Sequence, residues 1–480
     1  MDAPALARST EASRPEEIRT RKLHPDIVTT LTLAAILLVA VFVRAHGLGR
    51  ESLWFDEAAT ARVATASWSD FLPRFRHSET TPPPYYILLK IWVGVFGASE
   101  TSLRAPSVLA GAGVVWFLWR FGMRIGGTAV GLTAAALTAV WPFHVEYARE
   151  ARVYVFMLLL ALWSTDQYLR LAEDRRPRAQ WWYILATVLL LHSHLYALTT
   201  VAAQNVAYLV QLLRRRAPLS PRAWLSVQAA AAFVAAPSIL WMLKLARIKG
   251  AGGTSIPAPG PDELALTFLA YCGSSGVLLL ASVMLMILGV GNRRLRPHLP
   301  LLLSLLLVPT VVPLAVSYLF TPVFMPRYGI VATAPFLLFI AAGIARLRPA
   351  PVAAIVTAGV AGVALWVSLT LPDWKGDWRA AGAYLQRTLR PGDDVVVTNP
   401  HTTILYDHYM PSRSDVRRRG LYSNAVPLGL PLPEGKHVWA VFHAPHVYPR
   451  DVINHAYWRV VSQRAFHEVL ILELADGVTD

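Results

Sequence analysis

The sequence predicts an all-α polytopic membrane protein that ends in a small α/β domain. Its 480 residues are 55% hydrophobic and only 16% charged, with a mean hydropathy of +0.42, which is too apolar for a soluble domain. The apolar residues come in blocks such as "LLLALW" and "PLLLSLLLVP". These belong to runs approaching the roughly 20 residues that cross a bilayer, without the period-2 alternation of barrel strands. Beyond residue 371 the pattern changes to short elements mixed with Pro, Gly and charge.

Residues 1–26 read as a polar, basic cytoplasmic tail. The apolar run that starts at Ile27 lacks an A-x-A-like cleavage site and reads as an uncleaved signal anchor. About eleven spans are expected, at 27–45, 105–121, 128–143, 153–171, 181–196, 197–213, 223–243, 268–291, 298–319, 328–346 and 350–370. The run "YYILLKIWVGVFG" at 85–97 is short and carries Lys90. It suits an interfacial helix within a first external loop, 46–104, better than a span. Charge decides the matter. With 85–97 not crossing, the Arg clusters at 120–124, 175–178, 214–222, 293–296 and 346–348 all fall on the cytoplasmic side with the N-terminus, as the positive-inside rule requires. A crossing segment would move them all outside.

This topology accounts for the formal charge of +15 without nucleic acid, for which no motif is present. Cys272 is the only cysteine, so no internal disulfide or Cys-based metal site can form. Residues 372–480 are expected to form an extracytoplasmic α/β domain beyond the transmembrane domain of 27–371. Its predicted helices are "WRAAGAYLQRTL" and "TTILYDHYM", and its predicted strands "GDDVVVTN", "HVWAVFHA" and "EVLILELA".

The unusual polar clusters then share the outer face. Asp56 and Glu57, in "ESLWFDEAAT", lie beside Trp54 and Phe55, where partial desolvation would tune a carboxylate; a solvated loop pair is the plainer reading. In "EYAREARVY", helical spacing would put Glu146, Arg149 and Arg152 on one face. They make either a salt-bridged helix end or, with Tyr154, a clamp for phosphate oxygens. "HSHLY" carries His192, His194 and Tyr196; i, i+2 spacing disfavours a two-His metal site on a helix but leaves His194 as a single hydrogen-bonding group. "MPRYG" places Arg327 and Tyr328 at the outer entry of a span, either as a functional pair or as snorkelling side chains. Together these groups suit a substrate with a lipid tail in the bilayer and an anionic headgroup at its surface.

The ordered set "WFDEAAT", "TPPPYYILLKIW", "SLRAPSVLAG", "EYAREARVY", "HSHLYA" and "RYGIVATAPFLL" resembles the GT-C superfamily of integral membrane glycosyltransferases. The likeness is greatest to bacterial relatives of protein O-mannosyltransferases and lipid A aminoarabinose transferases, and covers roughly residues 27–346. It implies a GT-C-like fold in the bacterial cytoplasmic membrane, with the active site and C-terminal domain outside. It also implies a polyprenyl-phosphate sugar donor and a glycan, lipid or protein acceptor. Asp56 takes the place of the family's base, with Glu57 as its catalytic neighbour. Arg152, Tyr154, Arg327 and Tyr328, and less directly Arg104 and Lys90, take the phosphate-binding positions. Many relatives read His-Pro-Pro where this chain has Thr81-Pro82-Pro83-Pro84. That His is missing, and His77 is too far upstream to replace it. No cofactor is required by the pattern; a divalent cation near Asp56 and Glu57 is compatible with the pair, but no ligand constellation calls for one.

A transporter or lipid flippase is the alternative class. It would be expected to show internal repeats, broken helices at matched positions and charges near mid-span. The sequence has no repeat, and its polar clusters lie at the span boundaries.

Overall fold

The structure, a computed structural model, describes residues 26–78, 82–173, 176–251, 256–397, 400–410, 413–420, 437–443 and 458–476. The expected N-terminal tail and Thr81 fall outside them. Each apolar span expected from the sequence falls largely on helix: Ile27–Ala45, Glu100–Gly126, Thr128–Val140, Tyr154–Glu173, Pro177–Leu191, Ala197–Leu213, Pro221–Ala251, Gly276–Val290, Leu299–Leu319, Thr333–Ile344 and Ala350–Thr370. Among the described residues, six helical stretches are long and apolar enough to cross a membrane, or seven if one bent pair counts as a span. The chain is a multi-pass membrane protein.

Three local departures have physical causes. The expected span at 268–291 is two helices, Glu263–Tyr271 and Gly276–Val290, meeting at 94°. Gly273 and Ser274 both adopt positive φ at the corner, and a side chain on Gly273 would strike Pro142 and Val367. Ser275 then caps the second helix by accepting from the Leu278 amide at 3.3 Å. The helix expected from 105 begins earlier, at Glu100, because Ser99 accepts from the Ser102 amide at 3.2 Å and sets the N-terminus there. The segment 148–153 is not helical. One helix stops at Tyr147 and the next starts at Tyr154, so Arg149 and Arg152 do not share a face.

The first loop folds into three helices, Phe55–Ala64, Trp68–Ser78 and Pro83–Phe96. The last has 14 residues, about 21 Å at 1.5 Å per residue, and is too short to cross a bilayer core of about 30 Å.

Two close contacts set the bundle. Arg44, fully buried, donates to the carbonyls of Ala139 at 2.7 Å and Thr138 at 3.0 Å. These carbonyls end the helix Thr128–Val140, which Pro142 keeps from continuing, so a cation meets the negative end of a helix dipole. Gly111 leaves room for the Arg44 side chain. Elsewhere, the helices Gly276–Val290 and Thr333–Ile344 touch backbone to backbone. A Cβ on Gly289 would overlap the carbonyl of Phe339, and one on Gly343 that of Leu285. Small residues at such a crossing replace the hydrophobic driving force that lipid cannot supply.

The C-terminal region carries a five-stranded sheet in the order β2-β1-β3-β5-β4, with β1 Asp394–Val397, β2 Arg417–Gly420, β3 Val438–His443, β4 Trp458–Phe466 and β5 Val469–Asp476. β2, β1 and β3 are parallel; β5 runs antiparallel to both β3 and β4. The helices Trp378–Thr388 and Pro400–Tyr409 stand where the sequence predicts them. β2 and β4 were not expected: β2 reads "RRRG", and β4 exposes most of its side chains, so neither has an apolar alternation to read. The sheet region is tied to the first loop. Tyr409 Oη accepts from the Leu53 amide at 2.6 Å and donates to Glu100 at 3.2 Å, and Arg379 pairs with Glu100 at 2.7 Å.

Gly343→Val is expected to destabilise the purified protein by about 1–3 kcal/mol or more, as overpacking does, read as a lower thermal midpoint in detergent. Gly359→Val, on a helix where nothing lies within 4 Å of the added carbon, should leave the midpoint unchanged.

Candidate active site

The adjacent acids Asp56 and Glu57 sit in the first turn of the helix Phe55–Ala64, where helix polarity favours negative charge. Their environments differ completely. Glu57 is fully buried. Arg104 donates to both its oxygens, from Nε at 2.8 Å and Nη2 at 2.7 Å. The Ala151 amide adds a bond at 2.9 Å, and Lys375 Nζ lies 3.4 Å away. Burial alone would push this carboxyl's pKa up. The Lys375 and Arg104 charges, with the Arg104 and Ala151 hydrogen bonds, outweigh burial and hold it well below the usual carboxylate range. Arg104 also donates to the carbonyls of Leu48, Glu51 and Ser52. Glu57 and Arg104 therefore brace the loop, and neither is free to meet a substrate.

Asp56 is partly exposed, with its side chain 3.7 Å from Arg152 Nη2. Arg152 is held by the Asp56 carbonyl at 3.3 Å, Thr60 Oγ1 at 3.0 Å and Tyr86 Oη at 3.4 Å, and its guanidinium lies 5.8 Å from the Tyr154 ring centre. Arg327 stands in the same neighbourhood, within electrostatic reach of Asp56 and Tyr154. Three rings surround it: Trp54 at 5.5 Å, Tyr154 at 5.9 Å and Tyr328 at 5.5 Å. Among the described residues it makes no hydrogen bond or ion pair, and its buried Nε lacks a partner. His194 packs against Tyr154 at 6.0 Å, Tyr196 at 5.7 Å and Tyr328 at 5.4 Å. Its Nδ1 accepts from the Tyr196 amide at 3.2 Å, which assigns the ring proton to Nε2. Tyr196 itself donates to the Val323 carbonyl. Asp56, Arg152, Tyr154, His194, Tyr196, Arg327 and Tyr328 thus come together from four separate stretches of chain.

Arg327 also lines a cavity of about 770 Å³. Its walls include Glu146, Glu150 and Tyr147 from one side, and Trp374 and Lys375 from the segment after the last apolar helix. Glu150 is buried, with Oε2 unpartnered among the described residues. Burial pushes its pKa up to about 8, against Lys375 and with help from Glu57 and Glu146. Burial raises Glu146 as well. Lys375 bridges Glu51 at 3.3 Å and Glu57 at 3.4 Å, and Trp374 meets Trp54 edge-on at 5.1 Å.

Three residues expected to bind substrate do not join the cluster around Asp56, and of these Arg149 lines the cavity beside Arg327. Arg104 is committed to Glu57. Lys90 bonds the Ala66 carbonyl and sits over the Trp68 ring at 4.8 Å, fastening two loop helices together. Arg149 turns back onto the carbonyls of His46 at 2.7 Å and Val43 at 3.3 Å, because 148–153 is not helical. Glu150, Trp374 and Lys375 were not picked out. The signals were Glu150 between two arginines and "DWKGDW" directly after an apolar run. Among the described residues no group of three or more His, Cys, Asp and Glu is arranged to hold a metal ion. The acidic pair does not fit one, since both Glu57 oxygens are taken by Arg104 and Asp56 is left as a lone carboxylate.

A bundle of this form, with its acid-bearing first loop and a C-terminal α/β region, has the GT-C fold of integral membrane glycosyltransferases. The family model for dolichyl-phosphate-mannose-protein mannosyltransferase matches residues 80–241. ArnT from Cupriavidus metallidurans, in the crystal structure bound to undecaprenyl phosphate, superposes with a TM-score of 0.59 at 12% identity, over 94% of this chain and 98% of that one. The Archaeoglobus fulgidus oligosaccharyltransferase, in complex with Zn and sulfate, superposes with a TM-score of 0.52 at 11% identity, over 91% of this chain and 73% of that one. No curated protein sequence matches the chain.

Two predictions follow from the carboxylates. Arg104→Met strands the buried Glu57 charge and should cost about 3–5 kcal/mol, seen as a large drop in thermal midpoint. The folded protein keeps the Glu150 proton up to about pH 8, whereas the unfolded chain loses it near the ordinary value of 4.5. This group's contribution to stability therefore falls as pH rises through that window. Midpoints of wild type and Glu150→Gln, compared from pH 5 to about 8, should diverge in favour of the variant.

Proposed function

We propose that the protein is a glycosyltransferase, hexosyl- or pentosyl-transferring, that moves a sugar from a polyprenyl-phosphate donor to a glycan, lipid or protein acceptor. The observation that carries this reading is the convergence of Asp56 with Arg152, Arg327, Tyr154 and Tyr328, which sets a carboxylate beside two cations at one end of the bundle.

The chemistry assigns each group a task. Asp56 takes the proton of the acceptor hydroxyl or amine as that atom attacks the anomeric carbon. The bond from that carbon to the phosphate oxygen breaks, and its electron pair leaves with the lipid phosphate, inverting the configuration. Arg152 and Arg327 hold the phosphate and offset the charge that develops on it, so no general acid is needed. The rings around Arg327 cover part of its guanidinium without using its forked donors, which stay available to an anion. Glu57 acts as a positioning residue through the loop that carries Asp56. The cavity behind Arg327 has room for a sugar-sized group.

The same reading gives an orientation. The Arg-rich connectors gather at the opposite end of the bundle, where Arg124 pairs with Asp166 at 2.9 Å and Arg294 bonds the Gly126 carbonyl at 3.1 Å. The positive-inside rule makes that end cytoplasmic. The site and the C-terminal domain then face the outside of a bacterial cytoplasmic membrane.

Asp56→Asn is expected to lower turnover of a labelled undecaprenyl-phosphate sugar by about 10²–10⁴-fold, the scale of lost general-base catalysis. Binding of undecaprenyl phosphate should hold or tighten, because a negative charge beside the phosphate has gone. Arg327→Gln should do the reverse and weaken lipid-phosphate binding. Unchanged turnover in Asp56→Asn would remove the base assignment.

A further inference from the structure

At the end of the bundle opposite the acids lies a second cavity, of about 270 Å³. It is bounded by the ends of the helices Tyr154–Glu173 and Ala197–Leu213 and by the turn at Arg296–His298. Among the described residues, Arg124, Arg214, Arg216 and Arg296 line it, against one acid, Glu173. Glu173 is already engaged by Arg124 at 2.8 Å. Among the described residues, the side chains of Arg214, Arg216 and Arg296 have no hydrogen-bond or ion-pair partner. Among the described residues, three cations thus converge on one hollow without a countercharge of their own, an arrangement that invites an anion.

The backbone is built to bring them there. The helix Ala197–Leu213 ends in a turn where the Arg215 amide donates to the Leu212 carbonyl at 2.9 Å and the Arg216 amide to the Gln211 carbonyl at 2.7 Å. This closing turn puts Arg215 in the left-handed region, at φ 55°, a position that glycine fills at lowest cost. The reversal sets Arg214 and Arg216 on the same hollow. On its floor, Tyr168 donates to Gln211 Oε1 at 2.7 Å, which leaves the Gln211 amide nitrogen as a further donor. Leu209 and Leu213 are exposed on the adjoining helix, an apolar strip that begins beside the arginines.

We propose that this cavity binds the phosphate group of an anionic phospholipid. Arginine forks match phosphate oxygens in pairs, and basic hollows between helix ends are where such headgroups dock. The leucine strip gives the acyl chains a surface, which inorganic phosphate would not use. This site is separate from the one around Asp56 and stands whatever reaction occurs there.

The test is native mass spectrometry of the full-length protein in mild detergent, titrated with phosphatidylglycerol, cardiolipin or phosphatidylcholine. Phosphatidylglycerol and cardiolipin should bind in preference to phosphatidylcholine. The triple variant Arg214→Gln, Arg216→Gln, Arg296→Gln should lose about tenfold or more in phosphatidylglycerol affinity, since each such charge is worth a few-fold. The variant Arg222→Gln, Arg293→Gln, Arg348→Gln removes equal charge from the same end and should stay within about twofold of wild type. Undecaprenyl phosphate binding should be the same in all three proteins. Unchanged phosphatidylglycerol affinity in the first variant, or equal loss in both, overturns the site. Displacement of phosphatidylglycerol by millimolar inorganic phosphate would assign the cavity to the free anion and overturn the lipid.

Discussion

The ion pair between Glu57 and Arg104 is the constraint on which the loop and its acids depend. Arg104 stands in the second turn of the helix Glu100–Gly126 and reaches three loop carbonyls as well as both Glu57 oxygens. A buried charge pair is a poor source of net stability, because desolvation consumes most of the attraction. It is a good source of uniqueness, since any other register of the loop strands two charges in an apolar interior. Glu57 is thereby fixed inward, and Asp56, one residue earlier on the same helical turn, is turned away from Arg104 toward Arg152. The two acids of one motif separate into a buried brace and a partly exposed carboxylate beside Arg152.

The same contrast runs through the rest of the outer cluster. Glu57 and Glu150 are both buried, yet their pKa values move in opposite directions, because Arg104 and a backbone amide contact the first while the second has burial and neighbouring acids. Arg104 and Arg327 are likewise both cations in a largely apolar setting. Arg104 is fully matched by anions and carbonyls, whereas Arg327 meets three ring faces and, among the described residues, makes no hydrogen bond or ion pair. Ring quadrupoles offset part of a cation's desolvation without using its hydrogen-bond donors. Matched charges build the scaffold, and the unmatched cation is the one assigned to lipid phosphate in the proposed function.

Composition and block hydrophobicity make the helical bundle legible in the sequence, because crossing a bilayer forces long apolar runs that few other constraints imitate. The corner at Gly273 was not legible: apolar residues continue on both sides of it, and the bend arises from two positive φ angles. The gathering of Asp56, Arg152, Tyr154, His194, Arg327 and Tyr328 follows from family-like motif order and shared boundary position. Arg149 stands apart from Arg152 for a local reason: residues 148–153 are not helical, so three-residue spacing does not give the two a common face. Arg104 and Lys90 show a different limit. A cation at a membrane boundary looks the same in sequence whether its partner is a ligand, a carboxylate or a carbonyl.

The segment after the last apolar helix joins these threads. Lys375 is buried and lies between Glu51 and Glu57, while Trp374 closes on Trp54 and lines the cavity beside Arg327. Its backbone is fixed from the sheet side, where the His467 ring contacts the Asp373 carbonyl at 2.6 Å and the His467 carbonyl accepts from the Asp377 amide at 2.9 Å. The C-terminal region therefore supplies a charge that the first loop needs and a wall that the cavity needs. Glu57 keeps its proton off partly because Lys375 is there, so the loop's electrostatics depend on the sheet region being docked. A chain cut after the last apolar helix would retain Asp56 and both arginines of the cluster, but it would leave Glu51 without its lysine and the cavity without Trp374. The α/β region is in this sense part of the site and not an appendage to it.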